Sequence, residues 1–355
     1  MKINQPRLEA ILSLMAENSW DLLLLYGHTW RKDYFRCLVN SNFSGPHALA
    51  AITREGEVKV IVCDPWDNEG LNNEAIFEID FAEGLARFLG LHKNAVVAIA
   101  GKEIMQSRFT SADHISATYA IEELRRVKTE DELVRIRQAA DLSDRGYQHF
   151  ADAAQPGMTE YELVAEVEGF LKANGAEDNF QLIASGGTEV VGMKPPTERI
   201  LQKGDSVITE LTPQVDGYWA QICRALILGE PTQKQLEAYA IFAEARQAAE
   251  DLLAPGVNIA DVARVQNDVF RKFGYGEYTG PRYTRVRGHN LGLHPDENPY
   301  VLEDVNYIVK EGMVVIAHPN TYLPLSGYMV FGDTLLVTAT GCVSLNKTER
   351  KLFSK

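Results

Sequence analysis

Cysteine is scarce and scattered. Cys37, Cys63, Cys223 and Cys342 are the four cysteines, and no two stand in a CxxC spacing. The pattern supports neither a zinc site nor a disulfide framework, and four reduced thiols are expected. Positive charge is also short: 35 Lys and Arg stand against 49 Asp and Glu, a formal net charge of −14. Nucleic acids and anionic membrane surfaces are bound through basic patches, so neither is expected as a partner. No apolar run reaches the roughly 18 residues of a membrane span. The opening Met1-Lys2-Ile3-Asn4-Gln5-Pro6 lacks the apolar core of a signal peptide. A cytoplasmic location is expected.

What is present is enough for ordinary packed cores. The 355 residues are 45% apolar, and the length suits about two domains. Residues 1–125 alternate helix and strand signals. Leu8, Ile11, Leu12 and Met15 recur at helical spacing, and Asp21 to Gly27 is a continuous apolar run suited to a buried strand. Leu49–Thr53, Val58–Cys63 and Ala95–Ala100 read the same way, with a hairpin turn at Glu55-Gly56-Glu57. This half is expected to be an α/β domain. Its segment from Trp30 to His47 opens with a cationic, aromatic cluster, either a surface loop or an anion-binding loop that reaches into a site.

Residues 126–355 contain a repeat. Gln155-Pro156-Gly157-Met158-Thr159 and Ala254-Pro255-Gly256-Val257-Asn258 each separate two helical stretches, and strand-like sequence follows each pair. A pseudo-symmetric domain is expected, with sheet at the centre and the site on its inner surface. Acids inside apolar strands need partners, and Glu210 and Asp333 are two of these. The densest cluster of titratable groups is Gly288-His289-Asn290-Leu291-Gly292-Leu293-His294-Pro295-Asp296-Glu297-Asn298-Pro299. Its glycines and prolines suit a rigid loop rather than a central strand.

The order and spacing of Pro156-Gly157-Met158-Thr159-Glu160, Gly204-Asp205, Asp216-Gly217-Tyr218, Arg224, Gly288-His289, Gly292, Pro299, Glu311-Gly312-Met313, Pro319 and Asp333-Thr334 resemble the creatinase / prolidase / methionine aminopeptidase family. The resemblance implies an α+β fold. A pita-bread C-terminal domain follows a smaller α/β N-terminal domain. It also implies a homodimer in which the N-terminal domain of one subunit covers the other's site, with Trp30 to His47 as the closing segment. Peptidases of this family hold two metal ions with two aspartates, a histidine and two glutamates. Those positions fall here on Glu210, Gln221, His289, His318 and Gly332, and two further substrate-holding histidines fall on Met193 and Asp296.

Two ions bridged by acids do not suit a neutral Gln221 and a bare Gly332. The expectation is therefore a metal-independent, creatinase-like hydrolase that cleaves a carbon–nitrogen bond in a small polar amide, amidine or amino-acid derivative, without a cofactor. His289, His318 and Glu210 would supply acid–base catalysis. Gln221, Asp296, His294, Met193, Asp333 and Tyr322 would bind the small-molecule substrate. Three alternatives stay open. The pocket could run a lyase, dehydratase or isomerase reaction. Glu210, His289 and His318 could hold one divalent metal ion in a mononuclear hydrolase. The fold could also serve a non-catalytic binding protein.

Overall fold

A computed structural model describes residues 2–355. The chain divides into two compact units, one ending at Asp131 and the other beginning at Glu132. The division falls six residues beyond the expected 125/126. The helix Thr118–Arg126 and the residues after it are tied to the first unit. Arg125 bonds Asp33, and Arg7 donates to the carbonyls of Leu124 and Val127.

The first unit is built on a six-stranded sheet. Its order is Ile76–Phe77, Val58–Val62, His47–Thr53, Leu22–His28, Val97–Ala100 and Ile115–Ser116. Leu22 to Leu25 are fully buried, as a central strand covered on both faces requires. Helix Gln5–Glu17 starts where the Asn4 side chain accepts a hydrogen bond from the Arg7 amide, and it buries Leu8, Ile11 and Met15. The Trp30–His47 segment is held by its own charges. Asp33 is buried between Arg31 and Arg125, and the Lys32 ammonium donates to the Phe43 carbonyl. Trp30 stays 87% exposed.

The second unit follows the expected repeat. Helices Glu130–Ala153 and Glu160–Ala173 precede one set of strands, and Gln233–Leu252 and Ile259–Lys272 precede the other. Thr159 and Thr232 each close a capping box, so both helix starts were set locally. The main path of a ten-stranded sheet runs Glu297–Tyr300, Gly288–Asn290, Val314–Ala317, Gly332–Thr338, Ile222–Ile227, Ser206–Val215 and Asp178–Gly186. Every neighbouring pair on this path is antiparallel. One core of this unit packs Tyr147, Phe150, Leu163, Val167 and Leu171 against Val207, Leu211, Ile222 and Leu226.

The Gly288–Pro299 stretch departs from the loop expectation. Gly288–Asn290 and Glu297–Tyr300 are strands, and Leu291 to Asp296 connects them. Pro299 is accommodated because its strand lies at the sheet edge, where a missing amide costs no ladder bond. No helix among the described residues is long and apolar enough to cross a membrane.

Candidate active site

Strand register gathers the site. Leu182 pairs with Glu210, Glu210 with Cys223, and Cys223 with Gly332, which makes a row across four strands. His318 follows the end of Val314–Ala317. His289 pairs with Ile316 in that same strand. Gly288 is required by this approach: its φ is +140°, and a Cβ there would lie 2.0 Å from the Ile316 carbonyl oxygen.

Around the row lies a cavity of about 700 Å³. Glu210, Gln221, His289, His318, Met193, His294 and Asp296 all line it. Glu210 and His318 thus share one cavity, which weighs against the binding-protein alternative. Asp333 and Tyr322, expected at the substrate, are not among its lining residues. Asp333 is buried against Arg224, with the Arg224 Nη2–Asp333 Oδ1 distance 2.5 Å, and it also pairs with Arg350. Its side chain is spent on these two ion pairs. Tyr322 instead stacks on Tyr283 and lies tilted against Tyr278.

Glu210 is buried, and no Lys or Arg among the described residues pairs with it. Its Oε1 accepts from Gln221 Nε2 at 3.0 Å and from the Cys223 thiol at 3.5 Å. Burial pushes its carboxyl up to about 7, and the nearby Asp296 charge adds to the rise, while Cys223 and Gln221 oppose it. His289 Nδ1 lies 3.0 Å from the Asn290 carbonyl. A carbonyl only accepts, so Nδ1 carries the proton and Nε2 keeps its lone pair. Burial lowers the His289 pKa, against an opposing Asp296 charge. Burial brings His318 down to about 3, with His289 and Arg287 contributing, so both imidazoles are neutral at pH 7. Their ring centroids are 5.4 Å apart. His318 Nδ1 is buried without a hydrogen-bond partner.

Several lining groups carried no signal in the sequence. Phe180, Leu182, Tyr283, Tyr300, Asn320 and Tyr328 come from five separate segments that only the tertiary fold brings together. Glu297, which sits in the titratable cluster, braces the connection instead. Its carboxylate accepts from Asn290 Nδ2 and from the His294 amide, both at 3.1 Å. Arg285 pairs with Asp304, and Arg287 is buried against Asn267, Thr284 and Asn320.

Comparison with known proteins adds a family. The profile of metallopeptidase family M24 matches residues 134–339. An Xaa-Pro dipeptidase of Pyrococcus furiosus is 31% identical over 235 residues, spanning 66% of this chain and 66% of that protein. An X-Pro aminopeptidase structure from Thermotoga maritima superposes with a TM-score of 0.86 at 24% identity, over 98% of this chain and 99% of that one. The prolidase structure from Pyrococcus horikoshii gives 0.81 at 25% identity, over 98% and 99%. These matches bear out the α+β pita-bread architecture. The hydrolase class expected for the chain is also the class of this family. They overturn the expected metal-independent, creatinase-like enzyme without cofactor, because the matched family is one of metallopeptidases and its relatives are named as Xaa-Pro peptidases.

Which metal complement these residues suit is a separate matter. A two-ion centre does not fit them. Gln221 is a neutral amide, and position 332 has no room for a ligand. A Cβ there would meet His318 Cβ at 2.6 Å and the Ala317 carbonyl oxygen at 3.0 Å. A single ion suits the donor chemistry better: one buried carboxylate without a cation, the His289 Nε2 lone pair and the orphaned His318 Nδ1. Among the described residues, no three His, Cys, Asp or Glu side chains are placed so that together they could hold a metal ion.

Proposed function

Because the chain belongs to metallopeptidase family M24, we propose that it hydrolyses a peptide-type carbon–nitrogen bond in a small substrate, with one divalent ion as its complement. The observation that carries this reading is a shared deficit. Glu210 and His318 line one cavity, the first buried without a cation and the second with an unpartnered ring nitrogen. Buried polar groups in that condition are costly, and a cation relieves both at once. Glu210, His289 and His318 would hold the ion. When bound, it would acidify a water molecule and polarise the scissile carbonyl.

The chain's other residues prepare the site. Gln221 is fixed by the Thr334 hydroxyl, which bonds its amide and its carbonyl at 2.8 and 2.9 Å. Its side-chain amide in turn orients Glu210. The Asn290 carbonyl fixes the His289 tautomer. Phe180, Leu182, Tyr283 and Tyr328 form an apolar wall that displaces water from the substrate.

Elemental analysis of the purified protein, together with hydrolysis of Xaa-Pro dipeptides and their amides before and after chelation, tests the proposal. About one equivalent of zinc, manganese or iron is expected, with Glu210→Gln and His318→Ala near zero. Two equivalents would overturn the single-ion site. None after reconstitution, with turnover insensitive to chelator, would overturn the metal reading altogether.

A homodimer, with the Trp30 segment over the partner's cavity, belongs to the same proposal. It is supported by the exposed Trp30. Light scattering that gave a monomer at micromolar concentration would remove it. The cytoplasmic location is proposed too and is checked by cell fractionation.

A further inference from the structure

We propose that the Tyr328 hydroxyl is the hydrogen-bond donor to the carbonyl oxygen of the bond that is cleaved, positioned by Asn320 and, behind it, Arg287. The proposal rests on the cavity being the substrate site proposed above. Its starting point is a hairpin. Asn320–Leu323 pairs with Gly327–Val330, and Asn320 stands opposite Val330. Tyr328 lies two residues from Val330, so the Asn320 and Tyr328 side chains leave the hairpin on one face as diagonal neighbours. Both residues line the cavity. The Asn320 side chain hydrogen-bonds the Tyr328 oxygen, and that oxygen is near enough to Glu210, a third lining residue, to feel its charge. The hydroxyl end of the ring is therefore at the cavity.

Arg287 fixes which way this bond runs. Its guanidinium is fully buried and donates to neutral oxygens, among them Asn267 Oδ1 at 2.6 Å, the Thr284 carbonyl at 2.7 Å, the Asn320 carbonyl at 2.9 Å and Asn320 Oδ1 at 3.1 Å. An arginine cannot accept, so the Asn320 amide oxygen faces it and the Nδ2 group is left for Tyr328. Tyr328 then accepts from Asn320 and keeps its own proton to give. Glu210 takes its hydrogen bonds from Gln221 and Cys223 instead. Burial, and after it the Glu210 charge, push the Tyr328 phenol up, so it stays protonated.

Three other donors on the wall are committed. Gln221 Nε2 is spent on Glu210 and Cys223, His289 Nδ1 faces the Asn290 carbonyl, and the Tyr300 hydroxyl bonds Asp296. Tyr283 and Thr284 are half-buried, whereas Tyr328 is 4% exposed. In the reaction, the water oxygen bonds to the carbonyl carbon and the C=O π pair moves onto the carbonyl oxygen. The Tyr328 O–H donates to that oxygen as its charge grows and keeps its proton. The pair returns as the C–N bond breaks, and the nitrogen leaves with a proton from the water. A carbonyl oxygen has two lone pairs, so this hydroxyl adds to the polarisation proposed above.

Two measurements test the assignment, one with turnover and one without. An Xaa-Pro dipeptide is compared with its thioamide, whose sulfur accepts hydrogen bonds poorly. Tyr328→Phe is expected to lower kcat about 100-fold on the dipeptide, with KM within about threefold, and to lower it less than about tenfold on the thioamide. A structural role alone would lower both alike, so equal losses overturn the proposal. Cyclopentyl methyl ketone carries the carbonyl but no scissile carbon–nitrogen bond. Its isotopically labelled carbonyl stretch, read by infrared difference spectroscopy, should move to lower frequency on binding to the native protein. The shift should be lost in Tyr328→Phe and reduced in Asn320→Ala. A shift unchanged in Tyr328→Phe, or no binding to the native protein, overturns the proposal. A shift that depends on Tyr328 without any peptide hydrolysis supports the donor and removes the proposed reaction. Hydrolysis with a shift indifferent to Tyr328→Phe does the reverse.

Discussion

Gly332→Ala places a methyl group where the sheet leaves no room, and the cost can be worked from the contacts. The new Cβ would lie 2.6 Å from His318 Cβ, 3.0 Å from the Ala317 carbonyl oxygen and 3.1 Å from His318 Cα. Carbon atoms prefer a separation of about 3.5 Å or more, so the closest contact is about 1 Å short. The chain around His318 must move away from the strand Gly332–Thr338. That movement pulls at the neighbouring Ala317–Asp333 pair in the ladder. Overpacking of this kind costs about 1–3 kcal/mol.

The identity of the contacted atom makes a sharper test. His318→Ala keeps the Cβ and should leave the Gly332→Ala penalty in place. His318→Gly removes it and should recover part of the penalty, though not all, because the Ala317 oxygen and the residue 318 Cα stay close. Double-mutant cycles by urea denaturation, followed on the second unit, should show coupling of about 1 kcal/mol for the glycine pair and near zero for the alanine pair. Additive behaviour in both cycles would refute the reasoning. The same pair explains why a single Gly332→Glu should fail to restore a two-ion centre, which metal analysis can check.

Other perturbations follow from the buried ion pairs. Asp333→Asn leaves Arg224 fully buried opposite a neutral group and should cost about 3–5 kcal/mol, read as a shift in the denaturation midpoint of the second unit. Arg125→Met should destabilise the first unit by about 3 kcal/mol, since Arg31 still holds Asp33. Burial pushes the Asp33 carboxyl up, but Arg125 and Arg31 outweigh burial and hold it well below the usual carboxylate range. Its contribution to stability is therefore full above an unfolded pKa near about 4 and declines as pH falls toward the folded value. Acid titration by circular dichroism should show a plateau that ends near about pH 4 in the native protein and a flatter acid limb in Arg125→Met. Thr159→Ala opens a capping box and should cost about 1 kcal/mol, measured by thermal denaturation.

Much of the architecture was legible along the chain because its signals are local. Apolar periodicity marked the helices, the run Leu22–Leu25 marked a buried strand, and the Pro156-Gly157-Met158-Thr159 stretch marked the break between two helices. Glu210 was legible as a candidate because an acid in an apolar strand needs a partner, and His289 and His318 were legible through the positions that the family resemblance gave them. Their shared cavity was not legible, nor was the retirement of Asp333, which looked the same in sequence as Glu210. One acid met Arg224 across the sheet and became an ion pair, while the other met no cation and stayed at the cavity.

The sequence by itself determined the order of the main elements and the family, since both are written in residue type and spacing. Tertiary structure alone decided that Gly332 cannot regain a side chain, that Pro299 lies on an edge strand and that Glu210 and His318 share one cavity. Each of those depends on which strands pair and in what register. Pairing brings together residues more than a hundred positions apart, and no local pattern encodes which atoms will then meet.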